Sequence, residues 1–307
     1  MTRVAAVDLG TNSTRLLVAD VEDGRVQEVE RRLAITRLGE DVDRRRILLP
    51  TAIARVRNTL VDYRRAAEQL GAERVLAVAT SAVRDADNGE AFLGEVEWSY
   101  GFSTRLLDGD EEALLTFRGV SVGREIAEGT VVVDIGGGST ELILGGPDGV
   151  AFHRSLDIGC VRLTERYGED VRSVAAAVRE ALPALSVSQA IGVAGTVTAI
   201  AALDLGLVEY DPVRVHGHRI PRSGVAVQLE RLAALTPDER RRVPGLEPDR
   251  APVIVAGAAI LLEVLDVYGL DEIEASEHDL LDGAALAASE LPDPEEGAAP
   301  PGAYTCC

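Results

Sequence analysis

The chain has 307 residues, 51 of them acidic and 31 basic, and every basic residue is an arginine. The absence of lysine excludes a Walker-A phosphate loop, a pyridoxal-phosphate Schiff base and a protein-kinase lysine, each of which needs an ε-amine at a fixed place. A formal net charge of −20 argues against nucleic acid as a partner, because a polyanion is normally held by a basic surface that releases its counterions; an anionic substrate then requires attraction that is local.

Apolar residues make up 46% and aromatic ones 4%, so the core is built from Ala, Val, Leu and Ile, and the length suits two domains. Met1-Thr2-Arg3 precedes a short apolar strand and lacks the long apolar core and small-residue cleavage site of a secretory leader. No stretch reaches the roughly 18 to 20 apolar residues of a membrane span. Cys160, Cys306 and Cys307 suggest neither a disulfide framework nor a clustered zinc site. A cytoplasmic protein with no membrane partner is the expectation.

In chain order, a β-branched run at 4–7 leads into V-D-L-G-T-N-S-T-R-L-L-V, and a similar run at 131–133 leads into V-D-I-G-G-G-S-T-E-L-I-L. The two segments share Asp, Gly, Ser and Thr at matching positions, which marks an internal repeat. Each reads as a hairpin opening a domain, with a second turn at Asp23-Gly24 or Asp148-Gly149. After the first hairpin, apolar residues spaced by three and four predict a helix over 53–70 closed by Gly71. A strand over 74–79, a helix over 90–96, a strand over 104–107 and a helix over 111–120 follow. The second half predicts helices over 174–185, 197–205, 252–267 and 280–289, with strands over 190–193 and 272–275. Strands alternating with helices mean an α/β fold, divided into domains 1–122 and 123–291. The Pro-, Gly- and charge-rich stretch 292–307 reads as a disordered tail.

A glycine turn that also carries Ser and Thr hydroxyls directs several donors at one point, which holds phosphate without cationic side chains. Gly10 to Thr14 and Gly136 to Thr140 are both of this kind. Asn12 adds an amide donor, while Gly136, Gly137 and Gly138 permit positive φ and close backbone approach. Either turn alone is equally an ordinary hairpin connection; two matching copies favour a shared ligand. Asp8 and Asp134 precede the turns and suit a hard divalent ion such as Mg²⁺, or else accept hydrogen bonds from their own turns. The repeat breaks at Arg15, which corresponds to Glu141. A glutamate beside a phosphate turn repels substrate unless it holds a metal or handles a proton; the other reading points both side chains at solvent.

The ordered set D-L-G-T-N-S-T-R-L, T-S-A-V-R-D-A-D-N, G-D-E-E-A, D-I-G-G-G-S-T-E-L, I-G-V-A-G-T-V-T-A and S-E-H-D-L-L-D-G resembles the successive motifs of the exopolyphosphatase and guanosine-pentaphosphate phosphohydrolase family. The resemblance implies two actin-like, ribonuclease-H-like domains with the active site in the cleft between them. It makes Glu112 the general base and Glu141 a second catalytic carboxylate associated with metal and water. It assigns phosphate binding to Gly10, Thr11, Asn12, Ser13, Arg84, Gly136, Gly137, Gly138, Ser139 and Thr140. Mg²⁺ is expected at Asp134, Glu141 and Asp8. Without the resemblance, Asp110, Glu111 and Glu112 read as an acidic helix N-terminus complementing the macrodipole. Cys160 reads as a small buried residue rather than a nucleophile. His216 and His218, flanked by Arg214 and Arg219, either line a route for a long anion or sit on a solvated loop. His278 caps or packs at the domain junction, and 192–196 supports the fold.

The implied activity is Mg²⁺-dependent release of terminal orthophosphate from inorganic polyphosphate. The alternatives are cleavage of guanosine pentaphosphate and a non-catalytic sensor of either anion. Longer family members carry a further all-helical module, so short polyphosphates are the expected preference, and a homodimer is among the expectations. A sugar or acetate kinase lacks a recognisable acceptor site, and an actin-like filament is opposed by the acidic surface.

Overall fold

The computed structural model describes residues 1–292, and they divide into two compact units, one of residues 1–124 with the segment from Leu280 onward and one of residues 125–279. The first unit runs β1 (Thr2–Leu9), β2 (Ser13–Glu22), β3 (Arg25–Ile35), α1 (Val42–Arg45), α2 (Pro50–Gln69), β4 (Arg74–Ala79), α3 (Ser81–Arg84), α4 (Gly89–Tyr100), β5 (Ser103–Leu106) and α5 (Gly109–Val120). Its sheet has the order β3-β2-β1-β4-β5, with β1 antiparallel to β2 and parallel to β4. The central strand β1 is buried on both faces, as its unbroken apolar run requires. Ala5, Val7 and Leu9 meet Val56, Leu60 and Tyr63 of α2 and Phe92 and Val96 of α4. Val4 and Ala6 face the opposite layer, with Leu115 of α5.

The second unit runs β6 (Thr130–Ile135), β7 (Thr140–Gly146), β8 (Gly149–Leu156), α6 (Cys160–Tyr167), α7 (Val171–Ala181), β9 (Gln189–Val193), α8 (Ala194–Asp204), α9 (Pro212–Val215), β10 (Arg219–Pro221), α10 (Arg222–Ala233), α11 (Pro237–Arg240), α12 (Ile254–Tyr268) and β11 (Glu272–Ala275). Its sheet order is β10-β11-β9-β6-β7-β8. Taken from the other edge, this is the order of the first unit with β10 added, so the sequence repeat is a repeat of topology. The two α/β units thus share a three-strand antiparallel meander that carries the glycine turn between its first and second strands.

The structure differs from the sequence reading in several places, among them helices α6 and α10 and strand β10, which that reading does not predict. The third meander strands, β3 and β8, were not predicted. Neither alternates cleanly, because both lie at a sheet edge with largely exposed or half-buried residues. The last helix, α13 (Leu280–Ser289), was grouped with 123–291 but packs in the first unit, where Leu281, Ala284, Ala285 and Ala288 complete the layer around Val4, Ala6 and Leu115. Its small residues let it approach α5 closely. The predicted tail, apart from Pro292, and Cys306 and Cys307 lie outside the described residues.

The α5–α13 contact has a measurable consequence. A Cβ at Gly283 would stand 1.9 Å from the Leu115 carbonyl oxygen, whereas one at Gly94 in α4 would meet nothing within 4 Å. Gly283→Ala is therefore expected to destabilise by about 1–3 kcal/mol through overpacking. Gly94→Ala should stabilise by about 0.5–1 kcal/mol through lost chain entropy. Thermal unfolding of the two variants checks the opposite signs.

Candidate functional site

In the first turn the Gly10 N–H donates to Ser13 O at 3.0 Å, which closes the loop between β1 and β2. Its carbonyls are fastened to the segment that follows β3. Thr11 O accepts from Gly39 N at 2.8 Å, and Asn12 O accepts from Thr36 N at 3.1 Å and Arg37 N at 2.9 Å. Gly39 is required by contact rather than by φ, since a Cβ there would stand 2.3 Å from Thr11 Cγ2. Thr11 Oγ1 shares a buried hydrogen bond with Ser81 Oγ at 3.0 Å. Tyr63 donates its hydroxyl to Thr14 O at 2.9 Å, and burial pushes that hydroxyl far above its usual titration range, so it stays a donor. Asn12 is buried, and its Nδ2 has no hydrogen-bond partner among the described residues.

The second turn is built the same way. Gly136 N donates to Ser139 O at 3.0 Å. Cys160 N donates to Gly136 O at 3.0 Å, Val161 N and Arg162 N donate to Gly137 O at 2.8 and 3.1 Å, and Arg162 Nε donates to Gly138 O at 2.7 Å. The first turn of α6 and one buried arginine thus engage all three glycine carbonyls. Carbonyl oxygens repel a phosphate, so a turn whose carbonyls are already hydrogen-bonded is prepared to present amides to an anion. None of Gly136, Gly137 and Gly138 is among the positive-φ glycines, so the expected role of positive φ is replaced by close approach. The Thr140 hydroxyl donates to Ile158 O at 2.7 Å, which leaves it no proton for phosphate and makes this predicted contact structural.

The matching position beyond each turn separates the two copies chemically. Asp8 lies directly opposite Arg15 across β1 and β2, and Arg15 Nε donates to Asp8 Oδ2 at 2.9 Å. Asp134 lies directly opposite Glu141 across β6 and β7. Both of these carboxylates are buried, as is Asp8, and Arg15 is half-buried, so the solvent-facing reading is excluded. The Arg15 guanidinium on Asp8 Oδ2 places a positive charge beside this expected metal ligand, which the second unit does not have at the matching position. Two buried carboxylates on one face of neighbouring strands offer the hard oxygen donors that suit Mg²⁺. No group of three or more His, Cys, Asp or Glu able to hold a metal occurs among the described residues, so such an ion would rely on water and substrate oxygens for its remaining ligands.

The three acids that open α5 sort into separate roles. Asp110 is exposed. Glu111 completes a capping box with Asp108, donating its N–H at 2.8 Å and accepting from Asp108 N at 3.1 Å. Glu112 alone turns inward; it is buried, and Arg84 Nη1 donates to its Oε2 at 3.2 Å and to Leu107 O at 2.7 Å. The macrodipole reading therefore fits Glu111 and not Glu112. Arg84, expected to face phosphate, clasps the candidate base; its guanidinium has five N–H donors, so these two bonds leave others for an anion.

The remaining predicted features are mostly structural. His218 Nε2 lies 2.8 Å from Asp204 Oδ2, and His216 Nδ1 accepts from Glu277 N at 3.2 Å while its ring meets His278 edge-on at 5.1 Å. Burial pushes the Cys160 thiol up, which keeps it protonated and inert as a nucleophile. At 192–196, Ala194 holds φ +65, and a Cβ at Gly195 would stand 1.9 Å from Arg250 Nη1. Arg250, Arg162, Gly159 and Gly39 were missed, since each meets its turn or loop from a distant segment without a motif of its own. No helix of the described residues is long and apolar enough to cross a membrane.

A family model described as the Ppx/GppA phosphatase family matches residues 17–289. Exopolyphosphatase 2 of Mycobacterium tuberculosis is 40% identical, covering 93% of this chain and 98% of that protein. A guanosine-5'-triphosphate,3'-diphosphate pyrophosphatase of Vibrio atlanticus is 28% identical, over 92% of this chain and 58% of its own longer one. A crystal structure of the Aquifex aeolicus family member superposes with a TM-score of 0.78 at 30% identity, covering 94% of this chain and 97% of that one.

A Cβ at Gly159 would stand 2.2 Å from Gly137 O, so Gly159→Ala is expected to push α6 off the second turn. The cost of about 1–3 kcal/mol should appear as a lowered thermal midpoint, accompanied by weaker orthophosphate binding in calorimetric titration. An unchanged midpoint and affinity would show that α6 does not hold the turn.

Proposed function

Because the chain belongs to the Ppx/GppA phosphatase family, we propose that it is an exopolyphosphatase, hydrolysing the terminal phosphoanhydride bond of inorganic polyphosphate. The observation that carries this reading is the buried Glu112 carboxylate held by Arg84 at the start of α5, in a chain with two prepared phosphate turns.

The chemistry follows from the residues. Water attacks the terminal phosphorus while the anhydride bond breaks, and its electron pair leaves with the shortened chain. Glu112 accepts the proton that the water loses. Arg84 donates to Glu112 Oε2 and fixes its direction. The amides of each turn, with Asn12 and Ser13 in the first and Ser139 in the second, are suited to donate to phosphate oxygens as charge spreads over them. The leaving group is itself a phosphate oxygen, so no covalent nucleophile and no strong general acid is needed. Asp134 and Glu141 would hold Mg²⁺, which when bound neutralises charge on the transferred group.

Exopolyphosphatase 2 is matched over nearly its full length, which favours polyphosphate over guanosine pentaphosphate. The pyrophosphatase relative is matched over little more than half of its length. We also propose that the protein acts in the cytoplasm.

Phosphate release from tripolyphosphate and from guanosine pentaphosphate, each with and without Mg²⁺, tests the assignment; faster release from the nucleotide would reverse the substrate order. Glu112→Gln is expected to lower kcat by about 10²–10⁴ while leaving substrate binding in place, and an unchanged kcat would remove Glu112 as the base. The net charge of −20 repels a polyanion at long range, so kcat/KM should rise with ionic strength at low salt.

A further inference from the structure

The internal repeat supplies its own control for the row of side chains behind each glycine turn. In the first unit the row across the meander is Asp8, Arg15 and Leu33. In the second it is Asp134, Glu141 and Ser155. The first row closes on itself, because Arg15 neutralises Asp8 and the half-exposed Leu33 contributes no polar group. The second row has a carboxylate where the arginine was and a hydroxyl where the leucine was. Ser155 Oγ donates to Glu141 Oε1 at 2.7 Å.

We infer that Ser155 is a positioning residue that holds the Glu141 carboxylate in one orientation toward Asp134 and the cation proposed between them. The inference rests on the proposed role of Glu141. A hydroxyl donating to a carboxylate is a charge-assisted bond, short and strong. It stops rotation about the terminal carbon–carbon bond of Glu141, so the second oxygen keeps a fixed direction. It also places a donor on the side of Glu141 away from Asp134, where it partly offsets the repulsion between the two carboxylates. Partners of this kind, hydrogen-bonded behind a ligand, typically govern metal affinity or activity by about 10–100-fold.

Ser155 lies half-buried on the edge strand β8, where β-branched residues are well accommodated. Threonine and valine there have nearly the same shape and differ in the hydroxyl, so the pair Ser155→Thr and Ser155→Val separates hydrogen bonding from packing. Two readouts are compared: Mn²⁺ affinity of the substrate-free protein by calorimetric titration, and kcat and KM for tripolyphosphate with Mg²⁺. Ser155→Thr should stay near wild type. Ser155→Val should bind Mn²⁺ about tenfold more weakly and lose about tenfold in kcat, with KM changed less than twofold and the thermal midpoint equal to that of Ser155→Thr. Equal Mn²⁺ affinity and equal kcat in the two variants would overturn the inference. Wild-type protein that releases no phosphate would instead defeat the proposed function, and the Mn²⁺ comparison would still decide the role of Ser155.

Discussion

Two buried acids, Asp134 and Glu141, stand opposite each other across β6 and β7, and that pairing is the constraint that sets the second unit apart from the first. The same register position in the first unit pairs Asp8 with Arg15 and is electrostatically closed. One fold therefore carries two versions of one position, an acid paired with an arginine in the first unit and an acid opposite a second acid in the other. A divergence confined to one side chain, Arg15 against Glu141, separates scaffold from chemistry more sharply than any motif does.

Around this difference the two turns remain alike. Each is closed by a glycine N–H to a serine carbonyl, and each has its carbonyls taken up by the segment after the third meander strand. The third strand's role is thus to return the chain beneath the turn. In the second unit α6 brings its N-terminal amides with it, so a single helix start orients three peptide planes at once. Such preorganisation removes the reorganisation that water or flexible lysines would need around a developing charge. It also explains how a lysine-free chain can recognise phosphate. At Glu112 a single guanidinium holds the proposed base and remains chemically suited to an anion, a double use for which the planar fork of arginine is better shaped than an ammonium.

What the sequence made legible was local. Strands 74–79 and 272–275 and helix 280–289 coincide with β4, β11 and α13, since each is a short apolar run or a periodic segment bounded by turns. The repeat was legible because its Asp, Gly, Ser and Thr stand in one continuous stretch. The sequence did not disclose the destination of α13, because Ala284, Ala285 and Ala288 specify close packing without naming a partner. Edge strands β3 and β8 escaped because exposure on both sides erases alternation. The Arg84–Glu112 clasp, the Arg162 bond to Gly138 and the Ser155 bond to Glu141 each join separate elements. Pairing of that kind is set by register and strand order, and only the folded sheet supplies it.

The arginines sharpen the consequence of the acidic composition. Arg3, Arg57, Arg219 and Arg222 pair with Asp20, Glu95, Glu272 and Asp266, so much of the basic complement is balanced where it stands. The surface field is then set by the excess of carboxylates, which opposes a bare polyanion and enriches divalent cations near the protein. A polyphosphate already carrying Mg²⁺ presents less charge to that field than a free chain does. The same acidic surface that argued against a polyanionic partner therefore favours the metal-complexed form of such an anion over the free one.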